Sequence, residues 1–332
     1  MIISRTPFRI SFFGGGTDYP IWFRGNGGAV LSTTIDKYCY ISCRRLPPFF
    51  EYKHRIVYSK YEHINKINDI VHPAVRETFR FMHIEEGLEI HHDGDLPARS
   101  GLGSSSSFTV GMLNALYALR GKMISKEQLA KNAIYVEQHM IKEDVGSQDQ
   151  VAAAFGGFNL VKFGRDDLFS VNPVILSMEK LLAIESHLML MFTGFSRTAH
   201  EIAKEQIKET PHRSAELAEM FRMVEDALVI LNRGSDDITD FGRLLNEAWK
   251  IKRSLTSKIS NSEIDEIYSA ALSAGAIGGK LLGAGGGGFM LIFARPEDHP
   301  VIKAKLKDFL FVPFKFENSG SLIVVYQPDG LY

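Results

Sequence analysis

The chain has 332 residues, of which 45% are hydrophobic and 23% charged, and its formal net charge is −1 at pH 7. This composition fits a folded globular protein and excludes disordered or collagen-like chains. The near-neutral charge excludes a whole-protein basic field for gathering nucleic acid or anionic lipid.

At ~100–200 residues per domain the length predicts two domains. No run approaches the ~20 apolar residues of a membrane span. The opening MIISRTPFRI lacks the apolar stretch of a signal peptide. The expectation is a cytoplasmic protein with no membrane or nucleic-acid partner, and a homodimer is left open. Cys39 and Cys43 form no disulfide framework and read as reduced, buried residues. The 29 glycines cluster at Gly14–Gly16, Gly25–Gly28, Gly101–Gly103 and Gly275–Gly288, where bare backbone must approach something closely.

In chain order, Phe8, Ile10 and Phe12 alternate with Arg9 and Ser11 as in a strand, which the turn GGGTDYP interrupts. Thr17 and Asp18 in that turn suit polyol hydroxyls, and equally an Asp-containing turn. Tyr38–Cys43 reads as a strand, Glu51 to Asn68 shows no periodicity, and Leu88–His91 reads as a short strand. PARSGLGSSSS then runs straight into an apolar-periodic helix, Ser104 to Leu119. A helix N-terminus carries unpaired N–H groups and about half a positive charge, so this loop is a ready phosphate site.

A Ser125/Gln128 capping box opens the next helix. Glu137 lies on its apolar stripe with Ala133, Ile134, Met140 and Ile141. An inward carboxylate there needs a metal or arginine partner, the alternative being an edge glutamate that reaches water along its stem. Asp149 follows in the loop DVGSQDQ, beside the small-residue segment VAAAFGG. The polar stretch Gly164–Ser170 is the expected domain seam, giving domains 1–168 and 169–332.

Beyond it come an apolar strand (Leu188–Phe192), helices between Thr198 and Leu255, and a helix over Ser262–Ser273. The loop LLGAGGGGF contains Gly283-x-Gly285-x-x-Gly288. A dinucleotide turn needs a strand before it and a helix after. Here a helix is expected before and the strand Phe289–Phe293 after, so close packing against another loop or a ligand fits better. Two strands, Phe311–Phe316 and Leu322–Tyr326, close an α+β arrangement.

Four segments in order, PFRISFFGGGTDYP, PARSGLGSSSS, GSQDQ and KLLGAGGGG, resemble the GHMP small-molecule kinases over about Arg5 to Gly288. The resemblance implies an S5-like N-terminal domain, a ferredoxin-like C-terminal domain and ATP between them. It implies a phosphate loop of Pro97, Ser100, Gly101, Leu102, Gly103, Ser104, Ser105 and Ser106. It implies Mg2+ on Ser105 and Glu137, Asp149 as catalytic base or positioning group, and Arg9 as its partner. Gly15, Gly16, Thr17, Asp18, Gly285 and Gly286 are the implied acceptor-side residues.

The GGGTDYP form lacks the Glu-His pair of galactokinase and resembles the heptose 7-phosphate kinases. These phosphorylate the anomeric hydroxyl of D-glycero-D-manno-heptose 7-phosphate for nucleotide-activated heptose synthesis. A phosphorylated sugar needs a cation clamp, for which Arg197 in TGFSRTA is preferred over Arg99 and Arg24. Fucose- or galactose-type kinases and a non-catalytic sugar or ATP sensor are the alternatives.

Overall fold

The computed structural model describes residues 1–194, 199–234 and 237–328. Strand β1 (Ile2–Phe13) leads through the glycine turn into α1 (Pro20–Asn26) and the long strand β2 (Gly28–Arg45). A hairpin of β3 (His54–Val57) and β4 (Tyr61–Ile64), helix α2 (Pro73–Phe81) and strand β5 (Leu88–Gly94) follow. Next come α3 (Ser104–Leu119), α4 (Lys126–Tyr135), continued by a π-helical turn (Val136–Ile141), and α5 (Gln148–Phe155). The middle of the chain holds β6 (Asn159–Phe163), β7 (Phe169–Pro173), α6 (Met178–Ser186) and β8 (Leu188–Gly194). Four helices follow: α7 (Ala199–Glu209), α8 (Ser214–Asn232), α9 (Thr239–Ser254) and α10 (Ser262–Ser273). The last elements are β9 (Gly278–Leu281), β10 (Gly288–Phe293), α11 (His299–Lys305), β11 (Leu310–Val312), β12 (Phe316–Glu317) and β13 (Leu322–Tyr326).

The strands form two sheets, and helices and sheets mix as expected for α+β. The larger sheet runs β13-β1-β2-β5-β3-β4, with β6 and β12 also paired to β2, and β7 to β6. The smaller, antiparallel sheet runs β11-β8-β10-β9. β2 is the spine of the larger sheet: β1 pairs along most of one side, while β6, β12 and β5 share the other.

Helix α3 packs on β1 and β2. It lies so close that a Cβ on Gly111 would come within 2.7 Å of Thr6 Oγ1. Ser4 Oγ donates to the Gly111 carbonyl at 2.8 Å, and Ser107 Oγ to the Pro7 carbonyl at 2.9 Å. These bonds fix the start of α3 beside Arg9 on β1.

Aromatic rings join the two sheets. Phe12 of β1 meets Phe241 of α9 edge-on at 5.4 Å, and Phe241 in turn meets Phe293 of β10 at 6.0 Å. Each such buried ring is worth roughly 1.5–3 kcal/mol in burial, and each pair roughly 0.5–1.5 more. The backbone oxygen of Phe12 also accepts from Lys280 Nζ of β9 at 2.8 Å.

The helix over Ser104–Leu119 has the expected bounds, and Ser125 Oγ caps α4 by accepting from the Gln128 N–H at 3.2 Å. Other expectations are corrected. Residues 51–68, read as aperiodic, contain the β3–β4 hairpin, organised by Glu62, which accepts from the Val71 and His72 N–H groups. The polar stretch Gly164–Ser170 is a hairpin turn between β6 and β7, closed by the Gly164 N–H on the Leu168 carbonyl. The boundary at 168/169 therefore falls inside the larger sheet, to which β12 and β13 also return. The expected strand Phe311–Phe316 is two strands in two sheets, split at Pro313, which has no N–H to give a ladder. The loop LLGAGGGGF joins the antiparallel strands β9 and β10 instead of following a helix directly.

Candidate active site

Residues from β1, the loop before α3, the π-helical turn and α5 converge at one place. Arg9 points from β1 to α5, where Asp149 sits in the first helical turn and not in a loop. Its Nε and Nη2 donate to the two Asp149 carboxylate oxygens, both at 2.7 Å. The third arm, Nη1, donates to the Gly101 carbonyl at 2.7 Å, and the Arg9 N–H donates to the Leu102 carbonyl at 3.0 Å. One arginine thus ties the acidic group to the glycine loop. The Arg9 side chain is 6% exposed and that of Asp149 25%, so the carboxylate still reaches solvent.

The loop 97–103 ends at Gly103, the N-cap of α3, which adopts a left-handed conformation at φ 76°. No side chain among the described residues caps this helix, so its first N–H groups are unclaimed by a capping oxygen. A Cβ on Gly103 would lie 3.5 Å from Asp149 Oδ2. The helix terminus that suits an anion therefore abuts the carboxylate. Within the loop, Ser100 Oγ donates to the Pro97 carbonyl at 2.7 Å, and Ser104 Oγ accepts from the Arg99 N–H at 3.0 Å.

The second glycine loop backs the first. A Cβ on Gly283 would lie 2.4 Å from Gly101 Cα, and one on Gly288 2.5 Å from the Ser100 oxygen. The Phe289 N–H donates to that Ser100 carbonyl at 3.1 Å. Close packing of glycine on glycine is the role expected of LLGAGGGGF. Gly285 and Gly286 turn elsewhere: they pack on the Ile259 backbone, and the Gly286 N–H donates to its carbonyl at 3.0 Å.

Glu137 is fully buried in the π-helical turn. Its Oε2 accepts from Ser106 Oγ at 2.9 Å and from Gln150 Nε2. Its Oε1 has no hydrogen-bond partner among the described residues. Burial, helped by the nearby Glu143 charge, pushes its carboxyl up to about 7, against the hydrogen bonds of Gln150 and Ser106. Ser105, expected with Glu137 to hold Mg2+, is exposed at the start of α3, while Ser106, one residue on, bonds the carboxylate.

The GGGTD turn is also rebuilt in part. Thr17 is completely buried and its hydroxyl donates to the Gly14 and Ala29 carbonyls, at 2.8 and 2.9 Å. It shapes the turn and is not available to a polyol as expected. Asp18 is 2% exposed and accepts from the Gly16 N–H at 2.9 Å and the Gln148 N–H at 3.3 Å. Burial raises its carboxyl above the ordinary value, against the Gly16 hydrogen bond. Its backbone oxygen takes the Ser147 N–H at 3.0 Å, so the turn holds the residues just before Asp149. Gly15 remains partly open, whereas Gly16 is buried under Leu217 and Gln206.

Among the arginine candidates, Arg197 lies outside the described residues. Arg24 pairs with Asp167 at 2.7 Å on the surface, and Arg99 is exposed beside the loop. Sequence reasoning missed two buried lysines. Lys252 of α9 donates from Nζ to the Leu281 carbonyl at 3.0 Å and to that of Gly283 at 2.5 Å. Lys280 carries the bond to Phe12 across the sheets. The signal for Lys252 was present: it shares a helical stripe with Phe241, Leu245 and Trp249, all buried.

Comparison with known proteins agrees with this geometry. Residues 65–157 match the model of the GHMP kinases N terminal domain, and residues 226–310 that of the GHMP kinases C terminal. The chain is 30% identical over 336 residues to the D-glycero-alpha-D-manno-heptose 7-phosphate kinase of Campylobacter jejuni, covering 96% of this chain and 97% of that one. It is 25% identical to the bifunctional fucokinase/GDP-fucose pyrophosphorylase of Arabidopsis thaliana, over 88% of this chain and 30% of that protein. The fold is similar to that of a D-glycero-D-manno-heptose 1-phosphate kinase from Bacteriodes thetaiotaomicron, with TM-score 0.76 and 24% identity over 97% of this chain and 98% of that one. With both halves of the family pattern in place and a similar protein matched along nearly its whole length, the chain belongs to the GHMP kinases.

Proposed function

We propose that the protein transfers the γ-phosphoryl group of ATP to a sugar hydroxyl, and that this is the anomeric hydroxyl of D-glycero-D-manno-heptose 7-phosphate, for nucleotide-activated heptose synthesis. The observation that carries the reading is the adjacency of the uncapped α3 terminus and the Asp149 carboxylate at Gly103. The full-length likeness to a heptose 7-phosphate kinase supports the acceptor. The GGGTDYP turn, which lacks the Glu-His pair of galactokinase, supports it over galactose.

In the reaction, the bond from the γ-phosphorus to the β–γ bridging oxygen breaks and ADP leaves with its electron pair. A new O–P bond forms to the sugar oxygen, whose proton is lost. Phosphoryl transfer relies on positioning and charge neutralisation more than on covalent chemistry. The α3 N–H groups would take donor phosphate oxygens. Asp149 would orient the acceptor hydroxyl or accept its proton, held in place by two bonds from Arg9.

The unpartnered Glu137 Oε1 beside the Ser106 hydroxyl fits a hard cation, for which oxygen ligands are suited. Glu137 and Ser106 would hold Mg2+, with Ser105 at the exposed side. When bound, Mg2+ neutralises charge on the donor phosphates. Asp18 braces the residues before Asp149, while Gly15 leaves room for the acceptor.

The test is ADP release from Mg-ATP with heptose 7-phosphate, galactose and fucose, with Asp149→Ala as control. The reading expects turnover on the heptose phosphate and its loss in the variant. Turnover confined to galactose or fucose would replace the acceptor. Nucleotide binding without turnover on any sugar would favour a sensor.

A further inference from the structure

Lys252 is 7% exposed, yet among the described residues its ammonium has backbone carbonyls and no carboxylate for hydrogen-bond partners. Burying such a charge is costly unless it is well hydrogen-bonded, so its placement calls for a reason. The two carbonyls it holds belong to Leu281 and Gly283, on either side of Leu282. These residues press on the phosphate loop: a Cβ on Gly101 would lie 2.5 Å from the Leu282 oxygen. The Gly101 carbonyl receives Arg9 Nη1, and Arg9 holds Asp149.

Hydrogen bonds from Lys252 to the second glycine loop, close packing of that loop on Gly101, and hydrogen bonds from Arg9 to Gly101 and Asp149 form one path from α9 to the acidic group. Burial and the nearby Arg9 charge bring the lysine down to about 7. The Trp249 ring lies 5.9 Å from Nζ and gives the ammonium a π-face in place of an anion.

We propose that Lys252 is a positioning residue for phosphoryl transfer, one that clamps the Leu281 and Gly283 carbonyls so that the second glycine loop fixes Gly101 and, through it, Arg9 and Asp149. The proposal rests on the kinase reading above. Small displacements of reacting groups by a distant change cost roughly up to a hundredfold in rate, so the effect should appear in kcat and in nucleotide affinity more than in the acceptor KM.

The test compares wild type with Lys252→Met and Lys252→Gln, with Lys250→Met, at an exposed position of the same helix, as control. Mg-ATP affinity is measured by calorimetry, and kcat with and without Asp149→Ala in the same chain. Expected for Lys252→Met are a several-fold weaker Mg-ATP affinity, a kcat lowered about ten- to a hundredfold, and an unchanged acceptor KM. In the Asp149→Ala background the further loss should be under about twofold, because both changes act on the same group. If Lys252→Met fails to fold, Lys252→Gln is read by the same criteria. Unchanged Mg-ATP affinity in a folded Lys252 variant overturns the proposal even if no sugar turns over. Equal losses in both backgrounds overturn it too, as they indicate general structural damage. A wild type that binds Mg-ATP but phosphorylates no sugar sinks the kinase reading, and the affinity measurement still decides on Lys252.

Discussion

Arg9 and Asp149 lie 140 residues apart in sequence and meet through two hydrogen bonds of 2.7 Å. Because Arg9 also grips the Gly101 carbonyl, removing it frees a carboxylate and unties the glycine loop before α3 together. Breaking a buried pair leaves an uncompensated charge, and with Asp149 a quarter exposed the cost should sit at about 3 kcal/mol. Arg9→Met should lower the urea midpoint accordingly and abolish turnover. A midpoint equal to wild type would show that the pair is not structural.

Ser105 and Ser106 separate by one measurement. Ser106 bonds Glu137, whereas Ser105 is exposed. Ser106→Ala and Glu137→Gln should both raise the Mg2+ concentration needed for half-maximal activity by about tenfold, the order seen when groups supporting a metal ligand are removed. Ser105→Ala should shift it less. The opposite ranking of the two serines would return the ligand role to Ser105.

Gly101 has φ +86° and no room for a Cβ against the Leu282 oxygen. Left-handed backbone costs a non-glycine residue roughly 1–2 kcal/mol before the clash is counted. Gly101→Ala should lower the melting temperature and raise the KM for Mg-ATP. Gly121→Ala, with positive φ but open space, should cost stability alone. Equal KM values in the two variants would contradict the packing of the glycine loops.

Acid should weaken the fold through buried neutral histidines. His54 is 1% exposed, its Nδ1 accepts from the Leu88 N–H at 3.3 Å, and burial lowers it from 6.5 to about 4. Burial lowers His72 to about 4 as well. Between those values the unfolded chain binds protons that the folded chain refuses, so stability rises with pH there and is lost as pH falls from 6.5 to 4. His54 alone accounts for up to about 3 kcal/mol of that loss. His72 stacks on Phe108 at 4.7 Å, and its Nδ1 has no partner among the described residues. His72→Phe should therefore flatten the decline in urea midpoint between pH 7 and pH 4.5. Parallel declines in variant and wild type would exclude His72 from the effect.

Much of the site was legible because its physics is local. Glycines before an apolar-periodic helix announce an anion-binding terminus, and Ser104–Leu119 has the expected bounds. Glu137 on an apolar stripe announces an inward carboxylate, and it is fully buried. The Ser106 hydroxyl that bonds it was not legible, since the family motif pointed to Ser105 as a Mg2+ ligand and said nothing of the neighbour. What depends on long-range pairing was not legible. Nothing near Leu322 says that β13 returns to β1, and nothing near Thr17 says that its hydroxyl closes on Ala29. Lys252 was missed because a lysine on a helix ordinarily reaches water along its stem. Here the carbonyls that hold it come from a loop about thirty residues further on, a separation of 29 for Leu281 and 31 for Gly283.

The central claim is that the start of α3 holds the donor while Asp149 addresses the acceptor. Its most direct measurement is single-turnover transfer from γ-labelled Mg-ATP to D-glycero-D-manno-heptose 7-phosphate by wild type and Asp149→Asn. The account predicts label on the sugar with wild type, and a rate lower by about 10²–10⁴-fold in the variant with Mg-ATP still bound. Transfer at the wild-type rate by Asp149→Asn would contradict it.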